Sequence, residues 1–406
     1  MRLKPKRGKL SRRAVVRSAG NVVILVVVFL FGVNLGNGRI DLSRWTNHYK
    51  SVSGNLPSSL DYSSVNTVYQ SLKDNYDGTL TAQQLEDGLK HGLAEATKDP
   101  YTEYFTASEA KQFNNELNNS FSGIGAELGQ DSSGNLQVIA PIAGFPADKA
   151  GLKAQDLIAS INGASTSGMS VDEAVNKIRG PAGTKVTLQV VRGNQALTIT
   201  ITRQNLTVPS VMTKILAGNI GYMQISTFAD DTTSLAQKAA DQFASAHVKS
   251  IILDLRNDPG GELNAAESLV SLWLPQGQTI LQEKRGSQVI STDRAQGGNE
   301  LNGIPIVVLI NGGSASASEI TAGALHDNHA AYLIGEKSYG KGVVQQLVNF
   351  NDGSQLKVTI ASWYRPDGEN INHKGITPDK TVKQPANATP DNDPQLQAAQ
   401  TYLNTK

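Results

Sequence analysis

The sequence predicts a multidomain chain of α/β and α+β class, with an N-terminal transmembrane helix, a helical region, a small β module and an α/β-layered domain. Three observations carry that prediction. The 406 residues exceed the length of one ordinary domain, so more than one core is expected. A long apolar block follows a basic N-terminus. The residue pattern then changes twice, from helical spacing to short β runs at Phe121, and to alternating strand and helix after Val208. With 39% apolar residues, 18% charged and 38 glycines, the chain is not wholly disordered, collagen-like or a polytopic membrane protein. The absence of cysteine excludes disulfides, a thiol nucleophile and a cysteine zinc site, so any nucleophile is an oxygen or an amine.

The elements follow in order. Residues 1–17 carry eight basic side chains and no acid, leaving 29 basic against 36 acidic residues in the rest. A mildly acidic body argues against nucleic acid as a partner. Ala19 to Leu35 is nearly uninterrupted apolar and spans about 25 Å as a helix, the lower limit for a bilayer core. The basic flank places residues 1–18 in the cytoplasm, 19–36 as a single-pass anchor in the cell membrane, and the remainder outside it. A cleaved signal peptide is the competing reading, but the run exceeds a signal core and no Ala-x-Ala site follows. Residues 37–59 read as a linker. Apolar positions such as Val65, Tyr69 and Leu72, then Leu85, Leu89 and Leu93, predict two or three short helices within 60–120.

Residues 121–205 read as a partly open β module with one helix, Val171–Ile178. Within 206–383, strands at Ile220–Ile225, Ser250–Leu255, Ile304–Ile310 and Ala331–Ile334 alternate with helices at Thr232–Ala246, Leu263–Trp273 and Ser318–His326. Residues 384–406 form a proline-containing tail and a short helix, Gln395–Leu403.

Chemistry is expected in three loops that follow buried strands of the α/β domain. In Asp254–Gly261 a proline and two glycines turn the backbone sharply and expose amides able to hold an oxyanion. In Asn311–Glu319, Ser316 and Glu319 have capping-box spacing, so a helix starts near Ser316. A serine there acts either as a nucleophile beside helix N-terminal amides or merely as a cap, and spacing alone does not choose among Ser314, Ser316 and Ser318. In Gly335–Gln345, Lys341 lies between two glycines ahead of Val343 and Val344. A desolvated lysine loses its proton more readily, and only the neutral amine accepts a proton from serine. A Ser–His–Asp triad competes, yet no G-x-S-x-G elbow is present, and His326 would sit about 15 Å along the helix from Ser316. His373 stays open as a triad partner. No metal motif or phosphate-binding loop occurs, so no cofactor or metal is expected.

The segments GSASASEITAGALHD (313–327) and GEKSYGKGVVQ (335–345) resemble the carboxyl-terminal processing peptidases, also called tail-specific proteases. DLRNDPGG (254–261) is similar to the strand and turn before their oxyanion hole. GIGAEL (123–128), PADKAGLKAQDLIASING (146–163) and KIRGPAGT (177–184) resemble the PDZ domain inserted in that family, and DPYTEY (99–104) its N-terminal helical region. The resemblance covers about residues 60–403. It implies a ClpP/crotonase-like catalytic domain, Ser316 as nucleophile, Lys341 as general base, Gln345 orienting the lysine, and an oxyanion hole from the amides of Ala317 and of Gly260 or Gly261, with Gly261 favoured. Asp258 departs from the asparagine or other residue of many relatives, and Val343 stands where serine or threonine is frequent. The PDZ resemblance implies capture of a peptide C terminus, with Gly123, Ile124 and Gly125 as the carboxylate cradle, the helix 171–178 as the opposite wall, and Arg179 as a peptide or activation contact.

The expected protein is therefore a membrane-anchored extracytoplasmic serine endopeptidase. It cleaves proteins with exposed C termini near those termini, its PDZ domain gates activity, and it self-associates as relatives do. The rival functions are a catalytically silent tether using the PDZ-like module and a triad hydrolase of small esters.

Overall fold

A computed structural model of the chain describes residues 56–405 apart from 58, 132, 299 and 386–391. The predicted basic tail, the anchor at 19–36 and nearly all of the linker lie outside these residues. No helix among the described residues is long and apolar enough to cross a membrane.

The described residues up to Thr79 belong to one unit. Its helix α1 (Ser63–Asn75) starts where Asp61 Oδ1 accepts the Ser63 N–H at 2.9 Å, and none of its residues is buried. The second unit begins at Leu80. Here Thr81 and Gln84 form a reciprocal capping box that starts α2 (Ala82–Glu95), and Thr106 and Glu109 do the same for α3 (Ala107–Leu117). Between the two lies β1 (Glu103–Phe105), a strand that helical periodicity did not anticipate.

The β module enters on β2 (Ser120–Gly123) and continues through β3 (Ala126–Gln130), β4 (Leu136–Pro141), α4 (Pro146–Lys149), β5 (Leu157–Ile161), β6 (Ala164–Ser165), α5 (Val171–Ile178), β7 (Lys185–Arg192) and β8 (Gln195–Thr202). It leaves on β9 (Gln204–Thr207). Entry and exit strands zip together antiparallel from Ser120↔Thr207 to Gly123↔Gln204. The others form a sheet in the order β3-β4-β5-β7-β8, with β6 on β5. Along β7 the fully buried Val186, Leu188 and Val190 alternate with more exposed neighbours, the period expected of a sheet with one wet face. Helix α5 starts on a Ser170–Glu173 capping box. Arg203 then satisfies its C-terminal carbonyls, donating to Ile178 O at 2.7 Å.

The α/β domain is built on β10 (Val211–Leu216), β11 (Ile220–Ile225), α6 (Thr232–Ser245), β12 (Ser250–Asp254), α7 (Leu263–Ser271), β13 (Thr279–Arg285), β14 (Gln288–Arg294), β15 (Ile306–Ile310), α8 (Ala317–Asp327), β16 (Ala331–Gly335), β17 (Val343–Asn349), β18 (Gln355–Tyr364), β19 (Lys380–Thr381) and α9 (Pro394–Leu403). One sheet runs β10-β11-β12-β15-β16-β19, parallel except for β10. Its two faces are both covered. Ile251, Leu253, Val308 and Ile310 pack into the core under α6, α7 and α8, whereas Ile252, Val307 and Leu309 meet Ala399 and Leu403 of α9. Burial on both sides explains why β12 and β15 are apolar throughout.

A second, antiparallel sheet, β1-β18-β13-β14 with β17 on β18, was not foreseen. Its strands are half-buried and interleaved with Gln, Lys, Arg and Thr, so no apolar run announces them. Among the described residues β17 pairs only with β18, so its other side is an edge there.

Candidate active site

The ends of β12 and β15 are tied side by side before any reactive group is placed. Asn311 Oδ1 accepts the Asn257 N–H at 2.9 Å, and Asn311 Nδ2 donates to Asn257 Oδ1 at 2.8 Å. Ser314, fully buried, donates to Leu255 O at 2.7 Å; Ser318, also fully buried, donates to Asp258 O at 3.0 Å. Both of these hydroxyls are engaged in joining the loops. Ser316 is half-buried and is the one of the three that lines a cavity of about 730 Å³. The structure thus separates the serines that spacing left equivalent.

Ser316 is the N-cap of α8 and has φ 53° and ψ −114°, a left-handed conformation costly for a residue with a Cβ. The strain is held by Glu319, which is fully buried and whose carboxylate accepts four bonds: from Ser316 N–H at 3.0 Å, Lys341 N–H at 2.9 Å, Gly340 N–H at 2.7 Å and Ser338 Oγ at 2.6 Å. One carboxylate therefore fixes the serine loop to the lysine loop, a role the capping-box spacing only half revealed. Burial pushes the Glu319 carboxyl above its ordinary pKa against the pull of these donors.

The lysine loop is clamped from its other side. Lys341 O accepts from Trp363 Nε1 at 2.9 Å, and Asn370 Nδ2 donates to Gly342 O at 2.9 Å. A Cβ on Gly342 would stand 2.6 Å from Asn372 N, so a glycine is required. The Lys341 side chain reaches into the cavity, its amine 5.4 Å from the centre of the Tyr101 ring. Burial lowers its pKa first, and the nearby Lys357 ammonium lowers it further, while Glu319 and Asp99 act in the opposite sense. Among the described residues the amine is hydrogen-bonded to neither Ser316 nor Gln345. Gln345 lines the same cavity and donates to Thr359 Oγ1 at 3.4 Å.

The Gly260–Gly261 turn forms the cavity wall opposite. Its peptide carbonyl, Gly260 O, accepts from Phe228 N–H and Thr227 Oγ1, each at 2.9 Å. In a trans peptide the Gly261 N–H points the other way, and among the described residues no acceptor takes it. The Gly260 N–H is occupied, donating to Asp258 Oδ1 at 2.8 Å. Ala317 supplies the first N–H of α8, which has no acceptor within its helix. The available donor pair at the cavity is thus Gly261 and Ala317. Among the described residues no histidine lines the cavity. His326 lies in the last turn of α8 between Asp327 and Asp379, 3.1 Å from each, and His373 is exposed. No group of three or more metal-ligating side chains occurs among the described residues.

In the β module Gly123, Ile124 and Gly125 are all buried, with Ile124 in the module's core. Any cradle there consists of main-chain amides: those of Ile124 and Gly125 have no backbone acceptor among the described residues. Arg179 is exposed at the end of α5, its guanidinium 5.2 Å from the centre of the Phe121 ring. Sequence reasoning missed Tyr101, Trp363 and the clamp role of Glu319, because each acts through a contact between distant segments.

Comparison with known proteins agrees with this layout. Residues 219–382 match peptidase family S41, and residues 112–191 match the PDZ domain. The chain is 38% identical over 345 residues to the carboxy-terminal processing protease CtpA of Bacillus subtilis, covering 84% of this chain and 72% of that protein. It is 34% identical over 371 residues to a CtpA-like serine protease of Staphylococcus saprophyticus, covering 91% of this chain and 74% of that one. A solved S41 protease from Bacteroides fragilis shares the fold with a TM-score of 0.57 at 17% identity, covering 86% of this chain and 99% of that one.

Proposed function

Because this chain belongs to peptidase family S41 and carries a PDZ domain, we propose that it is a serine protease of the carboxyl-terminal processing type working through a Ser316–Lys341 dyad. The observation that carries the reading is that Ser316, Lys341, Gln345, Gly261 and Ala317 all line one cavity while a single buried carboxylate, Glu319, holds the two reactive loops together. The neutral Lys341 amine takes the Ser316 proton as Oγ attacks the scissile carbonyl. The amides of Gly261 and Ala317 bind the oxyanion, and Lys341 returns the proton to the leaving amine. Water, deprotonated by the same lysine, then hydrolyses the acyl-enzyme. Closing the Ser316–Lys341 hydrogen bond is part of forming the substrate complex, when active-site bonds commonly tighten. Gln345 orients the lysine once that bond closes.

The substrate is an extended polypeptide. β17 lines the cavity from Val343 to Leu347 with a free edge, and a peptide backbone can add to such an edge as a further strand. We assign tail capture and gating to the PDZ domain through the amides at Gly123–Gly125 and through Arg179, and membrane attachment outside the cytoplasm to the basic segment 1–18 and apolar segment 19–36. Leu89 and Leu93, exposed one helical turn apart on α2, support self-association. The test uses purified wild type, Ser316→Ala and Lys341→Ala on an unstructured protein with an apolar tail. Both variants lose cleavage, and continued cleavage by both removes the dyad.

A further inference from the structure

Asp258 is fully buried in the turn between β12 and Gly260. Its Oδ1 accepts the Gly260 N–H at 2.8 Å, and its main-chain carbonyl accepts from Ala315 N–H and Ser318 Oγ, each at 3.0 Å. It is therefore wedged between the two loops that carry the oxyanion donors Gly261 and Ala317. Its other carboxyl oxygen, Oδ2, is buried with no hydrogen-bond partner.

Among the described residues no cation faces it, and the donors that favour the anion, the Gly260 N–H and the Ser318 hydroxyl, are outweighed by burial. On its own turn, Arg256 is committed to Asp254 and Asp393, at 2.6 and 2.8 Å. On α8, packed over it, the titratable neighbour is Glu319, another acid already held by four donors. The loop 311–315 brings no titratable group, and the Lys341 amine is on the cavity side over Tyr101. Once protonated, the carboxyl can itself donate to Ser318 Oγ, which keeps lone pairs free while its own hydrogen goes to the Asp258 main-chain carbonyl. An unpaired buried anion costs far more than a neutral acid with one bond.

We propose that Asp258 is a positioning residue of the oxyanion turn that works as the neutral carboxylic acid, and that loss of its proton to solvent at rising pH turns the peptidase off. This rests on the serine-protease reading of the cavity. An anion at this position opposes the charge developing on the substrate oxygen a few atoms away, so the transition state suffers and substrate binding does not. Burial holds the carboxyl up to about 7, which brings the change into the neutral range.

The test is kcat and KM of the full chain on an unstructured peptide from about pH 6 to about pH 9, for wild type, Asp258→Asn and Ser316→Ala. Wild-type kcat falls on the alkaline side at up to about tenfold per pH unit with KM steady, and the rate ratio between the two ends rises at least about tenfold in Asp258→Asn. An alkaline limb identical in both proteins, with Ser316→Ala inactive, overturns this proposal alone. Cleavage by Ser316→Ala overturns the peptidase reading and this proposal with it. Should Asp258→Asn not fold, infrared spectra of wild type labelled with 13C-aspartate decide: a protonated carboxyl band at about pH 6 that vanishes by about pH 9 is expected, and its absence at about pH 6 overturns the proposal.

Discussion

Replacing Gly260 by alanine tests the geometry of the oxyanion turn most severely. Gly260 has φ 95°, and a Cβ built on it stands 2.6 Å from Ala315 O, 2.8 Å from Ser316 Cβ and 2.9 Å from Ala317 N. These are main-chain atoms and a strained Cβ, so no flexible tip can swing aside. The left-handed conformation costs an alanine about 1–2 kcal/mol and forcing the contact about 1–3 more, which predicts about 2–5 kcal/mol of lost stability in urea unfolding. The methyl also pushes the serine and the Ala317 amide away from the Gly261 amide, so kcat falls at least about 100-fold while KM changes little, as for loss of one oxyanion donor. Gly303→Ala is the control: φ is 80° but nothing among the described residues lies within 4 Å of its added methyl. It loses only about 1–2 kcal/mol and keeps its kcat. If Gly260→Ala retains kcat within about threefold of wild type, the turn does not serve the reaction as argued.

Three further outcomes follow from other parts of the molecule. Arg256→Met leaves the buried Asp254 and Asp393 without their cation and costs about 3–5 kcal/mol, read by urea unfolding, with α9 losing hydrogen-exchange protection first. Glu267, pushed up to about 7 by burial and then by Asp293 and Glu283, holds its proton in the folded state after the unfolded chain has released it. Stability therefore declines from about pH 4.5 to about pH 7 on its account, and Glu267→Gln removes about 1 kcal/mol of that decline once solvent screening is allowed for. Excising residues 121–205 is sterically simple because Ser120 and Thr207 are paired neighbours, and the excised protein loses the response of its cleavage rate to substrate tail sequence. Unchanged rate and specificity would rule out gating by the PDZ domain.

The parallel sheet was legible because β12 and β15 are buried on both faces and read as apolar runs. β12 spans Ser250–Asp254, one residue shorter than expected where it gives way to the loop at Leu255, and β15 spans Ile306–Ile310, starting two residues later than expected but ending where it was expected to, just before the serine loop. The capping pattern at Ser316 and Glu319 located the start of α8 for the same reason: a helix end needs local partners that sequence can display. The antiparallel sheet was invisible, since Gln345 and Thr359 or Glu283 and Trp363 are brought opposite each other only by long-range register. The wall that holds Lys341 is made of that sheet, and with it came the unforeseen contacts of Trp363 and Tyr101. Asp258 carried no sequence signal beyond its departure from relatives; its isolation from any cation appears only once α8 is packed over it.

The central proposal is that burial lowers the Lys341 pKa enough for its amine to act as the base toward Ser316. The direct measurement is NMR titration of the Lys341 amine, selectively labelled in Ser316→Ala, set against the acidic limb of kcat/KM in wild type. The account predicts a midpoint below that of a solvated lysine, coincident with that limb, and loss of the limb's signal in Lys341→Ala. An amine that titrates like a surface lysine, with an acidic limb that belongs to some other group, contradicts it.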